Sequence, residues 1–322
     1  MPDTVLILGA RGRLGAAVVA AFAAAGWQVL AQARRAPTTQ PHPRVRWIEA
    51  PLHDTEALSR QAGGASLVVH AVNPPYTQWQ AQALPLLCQG LDVAERLGAR
   101  FMLPGNVYNY GAGMPPRLLP QTPEHPTTRK GRIRFDMEAE MAARGRRGLR
   151  SLVLRAGDFF GGEGRGVWFD LVVARDVAKG KVCYPGPLDQ AHAWAYLPDL
   201  AQAFVAVAAR DWPLGLTRLN FAGHTLTGAD LHAALERVAG RSLQHKGLPW
   251  GLMRLGGLLI PSWREIVEME YLWRVPHHLD GADLQAFAGP VPATPLDTAL
   301  RHSLAALGQL GAGAKHAISG AA

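Results

Sequence analysis

Four apolar residues, Val5 to Leu8, run directly into the glycine-rich segment GARGRLG at positions 9–15. This pattern predicts a buried strand, a tight turn and the start of a helix. Gly9 permits the turn, Gly12 leaves room for a phosphate beside the backbone, and Gly15 lets the helix pack on the strand. The segment therefore predicts a binding site for a dinucleotide pyrophosphate. An ordinary turn without a ligand is the competing interpretation.

The sequence after the turn supports the prediction. Residues 14–25, LGAAVVAAFAAA, favour a helix that ends before Gly26, and residues 27–33 are suited to a second strand. Strand, turn, helix and strand fit within roughly 30 residues, which is the length of a βαβ unit.

Apolar runs and helix-favouring stretches then alternate as far as residue 221, which predicts an α/β fold with a doubly wound parallel sheet. Residues 1–160, completed by about 195–222, would form this core. Residues 161–194 and 223–310 break the alternation and would form a smaller C-terminal substrate-binding lobe, followed by a flexible tail at 311–322. The expected later strands are 44–47, 67–71, 101–104, 151–155 and 217–221, and the expected helices are 55–61, 79–98, 133–144 and 199–209.

Composition narrows the range of partners. The net charge is +8, from 33 basic and 25 acidic residues, but the arginines are scattered and not interleaved with aromatic residues, which argues against nucleic-acid binding. Cys88 and Cys183 provide neither a disulfide framework nor a metal motif. With no basic leader and no apolar run of spanning length, we expect a cytoplasmic protein without a membrane partner or a bound metal.

Several further segments follow the glycine turn in a characteristic order. They are LVVHAVNPP, NVYNYG, LRAGDFFG and AWAYLPDLAQAFVAV. In this order they resemble the extended and atypical short-chain dehydrogenases/reductases, the NAD-dependent epimerase/dehydratase-like proteins. The resemblance implies a Rossmann-type core, with a substrate lobe contributed by the C-terminal half.

The end of the second strand bears on the choice of cofactor. An NAD-type site usually offers an acidic side chain there, and an NADP-type site offers arginine to the 2′-phosphate. Ala33 takes the place of the acid and Arg34 follows it, while Arg11 adds charge from the glycine turn, so we expect NADP(H) rather than NAD(H). The expected cofactor-binding residues are Gly9, Ala10, Arg11, Gly12, Arg13, Leu14, Gly15, Arg34, Arg35, Leu52, Ala71, Val72, Asn73, Lys130, Ala156, Asp158 and Phe159.

The catalytic positions depart from the family pattern. Relatives use a Tyr, a Lys four residues later and a Ser or Thr after the fifth strand; the resemblance places Lys130, Arg134 and Asn106 at these positions. The spacing of Lys130, Ile133, Arg134 and Glu138 also resembles the isoflavone reductase and phenylcoumaran benzylic ether reductase group, in which a lysine is the general acid/base.

In such a site Lys130 would donate a proton to a substrate oxygen during hydride transfer, and Asn106 would stabilise the oxyanion. The lysine would need a lowered pKa, to which repulsion by Arg134 would contribute and which cofactor phosphates would oppose. Tyr108 and Tyr110 are alternative proton donors. The competing interpretation is a basic helix face that meets solvent or the cofactor ribose.

The substrate is less constrained. Residues 156–159 would wall the nicotinamide end of the cleft, and a flat or apolar carbonyl compound is as compatible with the aromatic segments as a nucleotide sugar. The expected substrate contacts, which could also be packing residues, are Trp79, Tyr110, Trp168, His192 and Trp194.

Three functions follow from these observations. The main prediction is an NADP(H)-dependent oxidoreductase of a small carbonyl or alcohol. The alternatives are a catalytically silent dinucleotide-binding regulator that resembles NmrA-like proteins, and a nucleotide-sugar epimerase or dehydratase. Relatives often form a dimer through the helices that correspond to 79–98 and 133–144, so the resemblance allows a homodimer, although the basic start of the second helix could equally face water.

Overall fold

The computed structural model describes residues 3–38 and 42–310, and the predicted tail at 311–322 lies outside these ranges. Its strands are β1 (Thr4–Leu8), β2 (Gln28–Ala33), β3 (Val45–Glu49), β4 (Leu67–His70), β5 (Arg100–Gly105), β6 (Arg117–Leu118), β7 (Arg150–Arg155), β8 (Asp158–Phe160), β9 (Lys181–Tyr184), β10 (Ala191–Tyr196), β11 (Gly215–Asn220), β12 (His224–Thr227), β13 (Gln244–Gly247) and β14 (His278–Leu279). Its α-helices are α1 (Arg13–Ala24), α2 (Thr55–Gln61), α3 (Trp79–Leu97), α4 (Arg129–Gly145), α5 (Leu197–Ala208), α6 (Gly228–Ala239), α7 (Trp250–Gly256), α8 (Pro261–Val267), α9 (Ala282–Ala288) and α10 (Leu296–Ala306).

Seven of these strands form one parallel sheet in the order β11-β7-β5-β4-β1-β2-β3. The order reverses between β1 and β4, and open α/β sheets bind ligands at such a switch point, beyond the carboxyl ends of the strands. The glycine turn follows β1 and therefore lies at this crevice. The predicted doubly wound parallel sheet is confirmed.

The sheet has an apolar core on each face. In one core, α1 and α5 pack over Val5, Ile7 and Val29. In the other, α2 and α3 pack over Leu6 and Leu8 on the opposite face of the sheet. Alternate residues of β1 thus point into different cores, as the two-residue period of a strand requires. Because both faces are covered, only the ends of the strands remain for a ligand.

A third core lies in the C-terminal half. It joins β8, β9 and β10 to α6 and α10 around Phe160, Phe169 and Trp194. A three-stranded sheet, β12-β10-β8, and a pair, β13-β9, belong to this region. Parts of the segment 223–310 lie elsewhere. The helix α9 packs on α5 and β11 of the main core, and Met269, Leu272 and the β14 residue Leu279 join the core that contains α2 and α3.

Most element boundaries agree with the predictions within two residues. The largest difference is α4, which begins at Arg129 and not at Ile133. Its start is fixed by Thr128, whose side chain accepts the N–H of Gly131 at 3.0 Å. No helix of the described ranges is long and apolar enough to cross a membrane.

Candidate cofactor and active site

The glycine turn is built so that larger residues do not fit. Gly9 has a φ of +75°, and a Cβ atom at Gly15 would lie 2.3 Å from the carbonyl oxygen of Gly9. A Cβ at Gly12 would approach the same oxygen to 3.2 Å. The N–H of Gly9 donates to Oε1 of Gln32 at 2.9 Å, an anchor on β2 that the sequence did not indicate. Gly9 therefore makes a turn that favours glycine, and Gly15 allows a close backbone approach, whereas the room that Gly12 would leave for a phosphate stays a prediction.

The start of α1 is open to an anion. Its N-cap, Gly12, provides no side-chain acceptor, and the first turn carries no acidic residue. The free N–H groups and the positive end of the helix dipole favour a phosphate at this position. Together with the glycine cradle, this end of the helix fits the pyrophosphate of a dinucleotide.

Arg13 has a different partner from the one expected. Its guanidinium pairs with the buried carboxylate of Asp170 and donates to the carbonyl oxygen of Gly161, with Nε at 3.0 Å. Burial lowers the pKa of Arg13 to about 10. The side chain thus ties the start of α1 to the C-terminal half, and its hydrogen bonds are directed to protein groups.

The end of β2 carries exposed arginines. Arg11 donates to the carbonyl oxygen of Arg35 at 3.1 Å, so the glycine turn and the end of β2 are adjacent, and Arg34 is exposed beside them. An acid missed by the sequence analysis also lies here. Glu49 is the register partner of Ala33 and accepts the N–H of Ala36 at 2.9 Å.

Lys130 is buried, and both its ammonium and its backbone N–H donate to carboxylates. Its Nζ donates to Glu265 and, at 2.7 Å, to Glu268, and its backbone N–H donates to Glu268 at 3.0 Å. Arg129 pairs with the same carboxylates, at 2.9 Å from Glu265 and 3.3 Å from Glu268. Burial raises the pKa of each glutamate, but the hydrogen bonds and charge of Lys130, with a smaller contribution from Arg129, outweigh that effect, and both pKa values fall below their ordinary value. The ammonium is therefore surrounded by negative charge, and the repulsion expected from Arg134 is not its nearest influence. We call Lys130, Glu265 and Glu268 the ion cluster.

Arg134 lies one turn further along α4. Its guanidinium lies over the ring of Trp79, 5.0 Å from the centroid, and donates to the carbonyl oxygen of Pro104 at 3.2 Å. Burial lowers its pKa, and its buried Nε has no hydrogen-bond partner among the described residues. This nitrogen is a donor available to a bound group at the end of β5.

Asn106 and Tyr108 follow β5 and lie together. The side-chain oxygen of Asn106 accepts the N–H of Tyr108 at 3.1 Å, and the hydroxyl of Tyr108 contacts that of Tyr76 at 2.8 Å. Burial raises the pKa of Tyr108 well above its usual value and that of Tyr76 to about 12. Both phenols therefore remain protonated near neutral pH. Buried Arg155 supports this segment by donating to the carbonyl oxygen of Asn106 at 2.5 Å.

A small cavity collects the polar groups at this edge of the sheet. It is lined by Asn106, Val107, Tyr108, Ala156, Gly157, Asp158, His192, Leu272 and His277. Nε2 of His192 lies 2.9 Å from a carboxylate oxygen of Asp158, while its Nδ1 is buried and has no partner within residues 3–38 and 42–310. The imidazole is held flat against Trp273, with ring centroids 4.3 Å apart. A carboxylate-oriented histidine with one free nitrogen is an arrangement suited to proton transfer.

The predicted substrate residues Tyr110, Trp168 and Trp194 do not line this cavity. Tyr110 is buried and donates to the carbonyl oxygen of Leu119 at 3.3 Å, and Trp194 is buried in the third core, so neither borders the cavity. Trp168 packs on Trp250 and Trp273.

Among the predicted cofactor residues, Val72 adjoins the glycine turn, since a Cβ on Gly9 would lie 3.0 Å from it. The remaining predicted cofactor residues divide into the buried Ala10, Leu14 and Leu52 and the partly or fully exposed Ala71, Asn73 and Phe159.

The sheet order, the glycine cradle and the open helix end define a dinucleotide-binding protein of the Rossmann class. The family model for the NAD dependent epimerase/dehydratase family matches residues 5–213, and the chain belongs to that family. A comparison with curated proteins found no match.

Solved structures of related fold are numerous. UDP-glucose 4-epimerase from Thermotoga maritima superimposes with a TM-score of 0.74 at 16% identity, covering 95% of this chain and 99% of that one. UDP-glucuronic acid 4-epimerase from Bacillus cereus, bound to UDP-glucuronic acid and NAD, gives 0.73 at 14% identity, with 95% and 99% coverage. An NAD-dependent NDP-hexosamine 5,6-dehydratase of tunicamycin biosynthesis gives 0.73 at 16%, with 96% and 99% coverage. At these identities the likeness establishes the shared fold.

Proposed function

We propose that this protein binds a nicotinamide dinucleotide and uses it to oxidise and reduce a hydroxyl-bearing carbon of a nucleotide-linked sugar. The observation that carries the proposal is that the glycine cradle follows β1, while Asp158, which pairs with His192 of β10, follows β7, so that both lie at the carboxyl edge of one parallel sheet. The substrate class follows the similar structures, which are epimerases and a dehydratase of nucleotide sugars. It replaces the small carbonyl or alcohol favoured by the sequence.

The backbone at 9–15 would hold the pyrophosphate, and the exposed Arg11 and Arg34 would hold a 2′-phosphate, since no acidic side chain occupies position 33. The bound nicotinamide supplies a hydride acceptor or donor. We therefore retain the preference for NADP(H), although the similar structures from Bacillus cereus contain NAD.

His192 is the group that we assign to proton transfer. With Asp158 accepting from Nε2–H, the free Nδ1 is an acceptor for the proton of a substrate hydroxyl, and the same nitrogen returns the proton when the carbonyl is reduced. Tyr108, which stays protonated, and the side-chain amide of Asn106 line the same cavity and would donate hydrogen bonds to the substrate oxygen.

Lys130 has a positioning role in this proposal. Its ammonium already donates to two carboxylates of the C-terminal half, so it holds the start of α4 against Glu265 and Glu268. If Lys130 were instead the general acid, as the sequence analysis predicted, replacing Lys130 would abolish turnover even in protein that remains folded.

The ion cluster also favours a second candidate, the dinucleotide-binding regulator. The side chain at the Tyr position of the family is bound to two carboxylates, as in a structural contact. A protein of this kind would bind NADP(H) without turning over any sugar.

The test combines cofactor binding with substrate turnover. NADPH and NADH binding is measured by nicotinamide fluorescence, and a panel of UDP- and dTDP-sugars is followed by proton NMR for inversion or loss of water. The His192→Asn variant is expected to lose turnover by about 100-fold or more, with the cofactor Kd unchanged. The control is His232→Asn, a partly buried histidine on α6.

Full turnover by His192→Asn would remove this residue from the mechanism. Tight NADPH binding without conversion of any sugar would instead support the regulator. Equal affinity for NADPH and NADH would contradict the cofactor preference.

A further inference from the structure

An exposed apolar surface stands at the tip formed by α7, α8 and the turn between them. Eight large apolar side chains of the described ranges are strongly exposed, and five of them fall within positions 252–260. The most exposed, Leu258 and Leu259, are 80% and 89% accessible. We call the five residues the apolar tip; they are Leu252, Leu255, Leu258, Leu259 and Ile260.

The apolar tip is a packed structure. Gly256 lies so close to Trp263 that a Cβ atom there would be 2.4 Å from the indole ring, which fixes α7 against α8. Trp250, at the base of α7, donates from its indole nitrogen to the carbonyl oxygen of Pro185 at 2.6 Å. The leucines are therefore presented on a braced hairpin.

A basic groove adjoins the tip. This cavity of about 490 Å³ is lined by Leu252 of the apolar tip and by four basic side chains, Arg175, Lys179, Lys181 and Lys246. Asp176 is the acidic lining residue, and it pairs with Arg175 at 3.0 Å and with Lys179 at 2.8 Å.

Lysine is concentrated in this groove. The chain has five lysines, of which Lys179, Lys181 and Lys246 line the groove, Lys130 is buried in the ion cluster, and Lys315 lies outside the described residues. Long basic side chains at an interface can reach anionic groups while their stems cover apolar surface. Three of the five lysines therefore lie in the groove beside the apolar tip.

We propose that the apolar tip and the basic groove form a docking surface for an anionic phospholipid membrane. The leucines would enter the boundary between headgroups and acyl chains, and the lysines would contact headgroup phosphates. The charge complementarity favours a lipid surface over a second copy of this chain, whose corresponding groove would carry the same positive charge. The earlier expectation of no membrane partner rested on the absence of a spanning run, which surface docking does not require.

The experiment is cosedimentation of the full chain with vesicles of phosphatidylcholine alone or mixed with phosphatidylglycerol, at low and high salt. Binding is expected with the anionic vesicles and is expected to weaken at high salt. The Leu258→Glu/Leu259→Glu variant should lose binding by more than about tenfold, and Lys181→Gln/Lys246→Gln by about tenfold or more. All variants should keep the wild-type Tm and NADPH affinity.

Leu214→Glu is the matched control, because Leu214 is an exposed leucine (68%) outside the tip. Equal loss of binding by the control, or no binding of the wild type to anionic vesicles, would overturn the proposal. It would also be overturned if light scattering showed a dimer that Leu258→Glu/Leu259→Glu dissociates, without vesicle binding. None of these readouts depends on the substrate, so failure here leaves the proposed function untouched.

Discussion

The glycine turn and the ion cluster, at the two ends of the candidate site, are formed by different kinds of chemical group. At the glycine turn, backbone groups and the absence of side chains create the binding surface, within residues that are adjacent in the sequence. At the ion cluster, charged side chains meet across more than 130 positions, from α4 to α8 and the residue after it. The first arrangement can be read from a short motif, whereas the second depends on how distant segments pack.

The largest expected effect comes from breaking the ion cluster. Lys130→Met removes the buried cation from two largely buried carboxylates and leaves them only the half-exposed Arg129, and breaking a buried pair typically costs about 3–5 kcal/mol. We expect the free energy of unfolding, measured in urea, to fall by that amount. The triple variant Lys130→Met/Glu265→Gln/Glu268→Gln should recover most of the loss, and an equally unstable triple variant would show that charge is not the cause.

The glycine turn should break by steric overlap. In Gly15→Ala the new Cβ meets the backbone oxygen of Gly9, and such overpacking costs about 1–3 kcal/mol. Calorimetry should show a lower Tm, and NADPH binding should weaken because the turn must shift. Gly113→Ala is the control, since Gly113 has open space around its Cβ position and no positive φ; a similar loss there would contradict the steric explanation.

A fall in pH should reduce the stability contributed beside the glycine turn before it reduces that contributed by the ion cluster. Burial, with a smaller contribution from Arg134, lowers the pKa of His70 to about 3 from an ordinary 6.5, so folding opposes its protonation. The stability that depends on neutral His70 is present above pH 6.5 and declines by about 1.4 kcal/mol per pH unit below it. Glu265 and Glu268, with lowered pKa values, lose their contribution only below their ordinary 4.5. His70 belongs to β4 beside the glycine turn, so this end should weaken first.

Urea unfolding between pH 7 and pH 5 provides the measurement, with His70→Gln as the matched variant. The variant should show a shallower decline in stability over this interval. An identical slope for the two proteins would mean that His70 becomes protonated without cost in the folded state.

The smallest effect concerns the exposed end of β2. Arg34→Ala should weaken NADPH binding by about tenfold and leave NADH binding unchanged, because one charge-assisted contact to an exposed phosphate is worth about 1.5 kcal/mol. Equilibrium fluorescence titration measures both constants, with Arg60→Ala, an exposed arginine of α2, as the control. A parallel loss of NADH affinity would place Arg34 elsewhere on the cofactor.

The sheet, the helices and the glycine turn could be predicted because local patterns determine them. The periodicity of residues 1–221 gave the seven parallel strands, and the spacing of Gly9, Gly12 and Gly15 gave the cradle. The partners of Lys130 could not be predicted, since Glu265 and Glu268 stand in a mixed polar and apolar stretch without a motif. Arg13 shows the same limit, because its pairing with Asp170 depends on the fold of the C-terminal half.

The ion cluster restricts which residues position 130 can hold. Restoring the usual pair by Lys130→Tyr and Arg134→Lys would leave Glu265 and Glu268 facing a neutral phenol, with the loss of their principal cation. The two carboxylates thus make the lysine hard to replace one mutation at a time. A tyrosine at position 130 would therefore lower the stability of this fold, whatever advantage in chemistry it offered.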